Sequence, residues 1–156
     1  MTLWITDPGA PPVRATNDVD VVVEVPAILG FANRWQGAGI PHAITWSLPS
    51  AATIRAVSPP YLLATKLEAF KSRGNRDFLG SRDFGDIIAL VDGREELVNE
   101  VAQAPAGVRG YIASEIGDLL EDPRFVGGLF GALPPDNASQ ARADAVVAPR
   151  LRTLVS

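Results

Sequence analysis

Two aspartates flank a single valine in RATNDVDVVVEV, residues 14–25, at the entrance to a run of valines. Side chains alternate along a strand, so Asp18, Asp20 and Glu24 share one face while Val19, Val21, Val23 and Val25 share the other. The Asp18 and Asp20 Cα atoms then lie roughly 6.6 Å apart, and both carboxylates can reach one divalent cation. Mg²⁺ or Mn²⁺ suits such a pair, because a hard cation takes one or two carboxylates and keeps its other positions for water and substrate phosphate. A strand seldom opens on paired negative charge for structural reasons, since like carboxylates repel and are costly to desolvate.

A second charged stretch is YLLATKLEAFKSRGNRDFLGSRDFGDIIALVDGR, residues 61–94. Helical spacing places Lys66, Phe70 and Arg73 on one face, and Arg82, Asp83 and Asp86 at the start of the following helix. Lys66 offers a point charge to a triphosphate, with Asp83 or Asp86 to orient the lysine, and Arg14 offers a loop contact to phosphate. The same residues have a structural account: an Arg82–Asp86 pair four residues apart and acids favoured at a helix N-terminus, worth tenths of a kcal/mol each. Trp4, Trp35 and Trp46 either stack a base or pack, and His42 is a surface or packing histidine. Glu115, Asp118, Glu121 and Asp122 read as a solvated acidic face.

The elements that must carry these residues follow from periodicity. Residues 1–17 read as a Pro- and Gly-rich lead-in, 19–25 as a strand ended by Pro26, and 27–42 mostly as loop. Residues 43–46 and 53–57 form a hairpin around Pro49 and Ser50. A helix starts after Ser58 with Pro59 and Pro60 in its first turn, buries Leu63, Leu67 and Phe70, and stops near Gly74. A second follows Ser81 with Phe84, Ile87, Ile88 and Val91 inward and Gly93 as its stop. A third carries Leu97, Val98 and Val101 up to Pro105.

A longer helix over 106–120 turns Val108, Ile112, Ile116, Leu119 and Leu120 inward, and a short apolar segment spans 125–133. The last helix, 137–154, shows a stripe of Ala141, Ala145, Ala148, Leu151 and Val155 bordered by Val147 and Leu154, and Pro149 interrupts it, so that it kinks or restarts there. The expected fold is α+β: one domain over 1–156, with a small mixed β-sheet in 1–57 and a helical portion in 58–156.

Composition narrows the function. The chain has 156 residues, 47% of them hydrophobic and 21% charged, which is ordinary for a soluble globular protein. Its net charge of −4 supplies no overall field for nucleic acid or an anionic membrane. Without cysteine and with one histidine, any metal must be held by oxygen. No apolar run at the start is long enough for a signal peptide or spanning helix, so the expected location is cytoplasmic.

RATNDVD followed by ATKLEAF and SRDFGDIIALVDGR resembles the nucleotidyltransferases of the AbiEii toxin type, within the DNA polymerase β-like superfamily. The likeness covers 14–24 and 27–154, and its most specific part is the LxxxKLxAFxxR…RDxxDI segment. It implies transfer of a nucleoside monophosphate from a nucleoside triphosphate, with Mg²⁺, to an unidentified acceptor, and a role in toxin–antitoxin pairing. It makes Asp18 and Asp20 the metal pair, Lys66 the lysine near the triphosphate, Asp83 an active-site acid, and Arg82 and Asp86 nucleotide-binding residues.

Two features of the family are missing: a Gly-Gly or Gly-Ser turn before the aspartates, for which DPGAPP is no substitute, and a third carboxylate on a later strand. The chain therefore resembles a member shortened in its N-terminal catalytic half. The alternative is a non-catalytic relative that serves as a binding or dimerisation module.

Overall fold

The computed structural model describes residues 33–47 and 53–156. Asp18, Asp20, Arg14 and the 19–25 strand lie outside the described residues, as do Trp4 and Glu24.

The first element, α1 (Arg34–Gly39), continues into a 3₁₀ turn (Ile40–His42) where the glycine-rich sequence predicts mostly loop. Its glycines mask any apolar period, and a cap with tertiary packing supplies what periodicity lacks. The Asn33 side chain accepts the Trp35 N–H at 3.1 Å and donates from Nδ2 to the Thr65 carbonyl at 2.9 Å. Trp35 packs on Tyr61 and Tyr111, with ring centroids 6.4 and 4.8 Å away. At Gly39 a Cβ would come within 3.2 Å of Tyr61 Cβ, so the small residue permits the close approach.

Strands β1 (Ile44–Ser47) and β2 (Thr53–Ala56) pair antiparallel, with Ile44 opposite Ala56 and Ser47 opposite Thr53. The hairpin is as the sequence reads. It is the whole sheet among the described residues, so the architecture is mostly helical with a small antiparallel β portion.

Helices α2 (Pro59–Ser72) and α3 (Arg82–Gly93) follow with the boundaries their caps and glycines predict. Then come α4 (Leu97–Gln103), α5 (Ala106–Glu121) and α6 (Phe125–Ala132). The apolar stripes of α2, α3 and α5 merge in one core. Leu63, Phe84, Ile87, Val91, Leu97, Ile112 and Ile116 are all fully buried there. Phe70, Phe78, Phe84 and Phe125 form an edge-to-face and tilted cluster with centroids 4.9 to 6.5 Å apart.

In the C-terminal segment the helix restarts at Pro149, the second of the two outcomes expected there, and a wider turn precedes the restart. The segment comprises α7 (Asn137–Arg142), a π turn over Ala143–Val147, and α8 (Ala148–Val155). Pro149 has no N–H for the carbonyl four residues back and its ring crowds that carbonyl, and the preceding turn widens so that the Ala148 N–H bonds Ala143 O. One extra residue in a turn rotates everything before it by about 100° relative to an α-helix. The inward stripe is therefore Ala143, Val147, Ala148, Leu151 and Leu154, while Ala141, Ala145 and Val155 are exposed.

The same segment caps α3. Arg150 Nη1 donates to the carbonyls of Val91 at 2.8 Å and Asp92 at 2.9 Å, and Arg142 Nε donates to the buried Asp92 carboxylate at 2.8 Å. Cations thus sit where the α3 dipole is negative and its last carbonyls lack helical partners. No described helix is long and apolar enough to cross a membrane.

Candidate functional site

Of the residues singled out in the sequence, Lys66, Arg73, Asp83 and Asp86 are brought together. α2 carries Lys66 and, at its C-cap, Arg73; α3 carries Asp83 in its first turn and Asp86 one turn on. The connection over 73–81 turns sharply, with Asn75 and Arg76 in the left-handed region at φ 49° and 52°. Gly74 is required there, because a Cβ would lie 2.7 Å from the Phe70 carbonyl oxygen. Asp77 closes the turn by accepting the Leu79 and Gly80 N–H groups at 3.1 and 3.0 Å, and these bonds hold its carboxyl below the usual range.

Packing of α2 on α3 then sets the geometry. Arg73 grips Asp83 side-on, Nε to Oδ2 at 3.0 Å and Nη2 to Oδ1 at 3.0 Å. Lys66 Nζ lies 2.9 Å from Asp86 Oδ2 and 3.5 Å from Asp83 Oδ1. Asp83 is 5% exposed, whereas the Lys66 and Asp86 side chains retain 15% and 18% and Arg73 58%. Lys66, Arg73 and Asp86 also have interactions beyond these.

Among the described residues the cluster sets two cations against two carboxylates. Asp83 gains from the positive end of the α3 dipole and from a bidentate guanidinium, the arrangement that best repays burial of a carboxylate.

The local pairing differs from the sequence account in one respect. Asp86 pairs with Lys66 across the helix–helix contact and not with Arg82, which is exposed. Phe70, on the same nominal face as Lys66 and Arg73, is fully buried in the aromatic cluster and takes no part.

Next to this cluster lies a second one that the sequence reading misplaced. Glu115 is buried and not part of a solvated face: Lys71 Nζ reaches its Oε1 at 2.5 Å and Arg76 Nη2 its Oε2 at 3.7 Å. Its position between Ile112 and Leu119, three and four residues away on the inward stripe, was the available signal. Tyr111 donates from its hydroxyl to Glu68 Oε2 at 2.7 Å. Burial first, then that bond and the nearby Glu115 charge, hold the Tyr111 phenol well above its ordinary range.

Arg34 lies over the rings of Trp35 and Tyr111 at 4.8 and 4.7 Å, and His42 stacks on Tyr61 at 4.8 Å. Trp35 therefore packs among these rings, and His42 is an exposed histidine that stacks on Tyr61 from the surface. Trp46 stands in β1.

Asp83 and Asp86 do not suit a divalent cation, because their oxygens already accept from Arg73 and Lys66, whose charges would repel it. Among the described residues no group of three or more acids or histidines could hold a metal. The pair expected to hold a metal, Asp18 and Asp20, lies outside the described residues. Comparison with known protein families, curated proteins and solved structures finds no match for this chain.

Proposed function

We propose that this protein is a nucleotidyltransferase-like enzyme that uses a nucleoside triphosphate and Mg²⁺ or Mn²⁺ held by Asp18 and Asp20. An acceptor oxygen attacks the α-phosphorus, the bond to the β-phosphate bridging oxygen breaks, and pyrophosphate leaves. Lys66 meets the triphosphate, Asp83 and Asp86 orient that lysine, and Arg14 and Arg82 add phosphate contacts. Such a protein would serve as one component of a toxin–antitoxin pair.

One observation supports this reading. Lys66 and Asp83 are 17 residues apart in sequence, yet with Asp86 they converge within 3.5 Å, the grouping the family resemblance implies. Catalysis of this kind is largely positioning and charge neutralisation, so a lysine positioned by neighbouring carboxylates suits it.

A second reading has an observation of its own. Among the described residues the cluster's charges cancel and Arg73 holds both Asp83 oxygens, which makes the group a latch between α2 and α3. On that reading the chain is a non-catalytic binding or dimerisation module.

Thermal unfolding with each nucleoside triphosphate, with and without Mg²⁺, separates them. Ligand at about a hundred times its dissociation constant adds roughly 2.7 kcal/mol. The enzyme reading expects a Mg²⁺-dependent upward shift that Asp18→Asn and Lys66→Ala both abolish. No shift with any nucleotide refutes it and leaves the module.

A further inference from the structure

We propose that Asp86 is the resident anion of Lys66, a carboxylate that a polyphosphate oxygen replaces when it binds. This deepens the reading in which Lys66 meets a triphosphate. The two acids differ in what they can release. Both Asp83 oxygens are committed to Arg73 at 3.0 Å, and its carboxylate is buried, so parting from its cations would strand a desolvated charge. Asp86 makes the short contact to Lys66, 2.9 Å against 3.5 Å for Asp83, and its side chain is 18% exposed. A carboxylate with that access to water can rehydrate when phosphate displaces it.

Lysine suits such an exchange. Its ammonium is a compact charge on a rotatable four-carbon stem, and it can trade one oxygen anion for another without movement of the helix. Arg73, locked in its planar fork on Asp83, stays behind as scaffold. Among the described residues the four side chains of Lys66, Arg73, Asp83 and Asp86 sum to zero charge, so Asp86 also screens Lys66 from an approaching polyanion. Its removal leaves a net single positive charge.

Lys66 and Lys71 are the chain's two lysines, which makes the test direct. With ¹³C-labelled lysine, the ε-methylene signal of Lys66 reports its partner and that of Lys71, bound to Glu115, serves as the internal reference. Asp86→Asn is expected to move the Lys66 signal further than Asp83→Asn does, and a larger effect from Asp83→Asn overturns the assignment.

Inorganic tripolyphosphate is then titrated into wild type, Asp86→Asn and Asp86→Glu. The midpoint read at Lys66 is expected to fall about tenfold in Asp86→Asn, as one unit charge removed from a partly screened site predicts, and to return to the wild-type value in Asp86→Glu. An unchanged or higher midpoint in Asp86→Asn, or no response of Lys66 in either protein, overturns the exchange. A Lys66 response to tripolyphosphate in a protein without any Mg²⁺-linked nucleotide shift removes the enzyme reading and leaves this one standing.

Discussion

Replacing Asp83 by asparagine preserves the side-chain shape and removes its charge. In the wild type both oxygens accept N–H groups of Arg73 at 3.0 Å, and Lys66 adds a long contact at 3.5 Å. An asparagine oxygen can keep one of the Arg73 bonds, but its amide turns a donor toward the other donor. One charge-assisted hydrogen bond is lost, worth about 1.5–3 kcal/mol where the donor cannot find water.

Arg73 can find water, since more than half of its side chain is exposed, and this recovers part of the loss. The favourable charge in the first turn of α3 goes too, about 0.3–1 kcal/mol. The net expectation is a loss of about 1–2 kcal/mol, equivalent to a melting temperature about 2–8 °C lower for a chain of this size. Urea unfolding followed by far-ultraviolet circular dichroism should show a lower midpoint with an unchanged slope. Arg73→Ala should cost at least as much, because among the described residues it leaves the buried Asp83 carboxylate with only the long contact to Lys66, and the double-mutant cycle should return a coupling of about 1 kcal/mol. An Asp83→Asn protein as stable as wild type, or a cost that persists undiminished when Arg73 is already alanine, refutes the latch.

Two further expectations come from the packing. Gly128→Ala would put a Cβ 2.6 Å from Phe78 Cβ, inside the phenylalanine cluster, and should destabilise by about 1–3 kcal/mol, whereas Gly127→Ala, facing open space in the same helix, should stabilise by about 0.5–1 kcal/mol; paired urea curves check the opposite signs. The Tyr111 phenol is raised above its unfolded value of 10.0, so the folded state holds that proton more tightly and stability should fall as the pH climbs past about 10. Tyr111→Phe should flatten that dependence, at a cost near neutral pH of about 1 kcal/mol for the lost bond to Glu68, and unfolding curves between pH 8 and 11 would read both effects.

The helices α2, α3 and α5 were legible in the sequence because their information is local. Leu63, Leu67 and Phe70 recur at the helical period, as do Phe84, Ile87, Ile88 and Val91, and desolvation forces such stripes inward whatever they meet. The hairpin was legible for the same reason, from two short β-prone runs around a turn. So was the grouping of Lys66 with Asp83 and Asp86 as charged residues on adjoining helices.

Tertiary structure decided what depends on contacts between segments. α1 exists because Asn33 caps it and Trp35 packs on residues of α2 and α5, a stabilisation that a glycine-rich sequence does not advertise. The inward face around the π turn was set by one added residue, which any reading at a fixed period of 3.6 places on the wrong side. Partner choice among charges was decided the same way. Lys66 chose Asp86, Arg73 chose Asp83 and Lys71 drew Glu115 into the interior, because a buried carboxylate is held by whichever cation the packing of helices brings within reach, and sequence spacing alone carries no such distance.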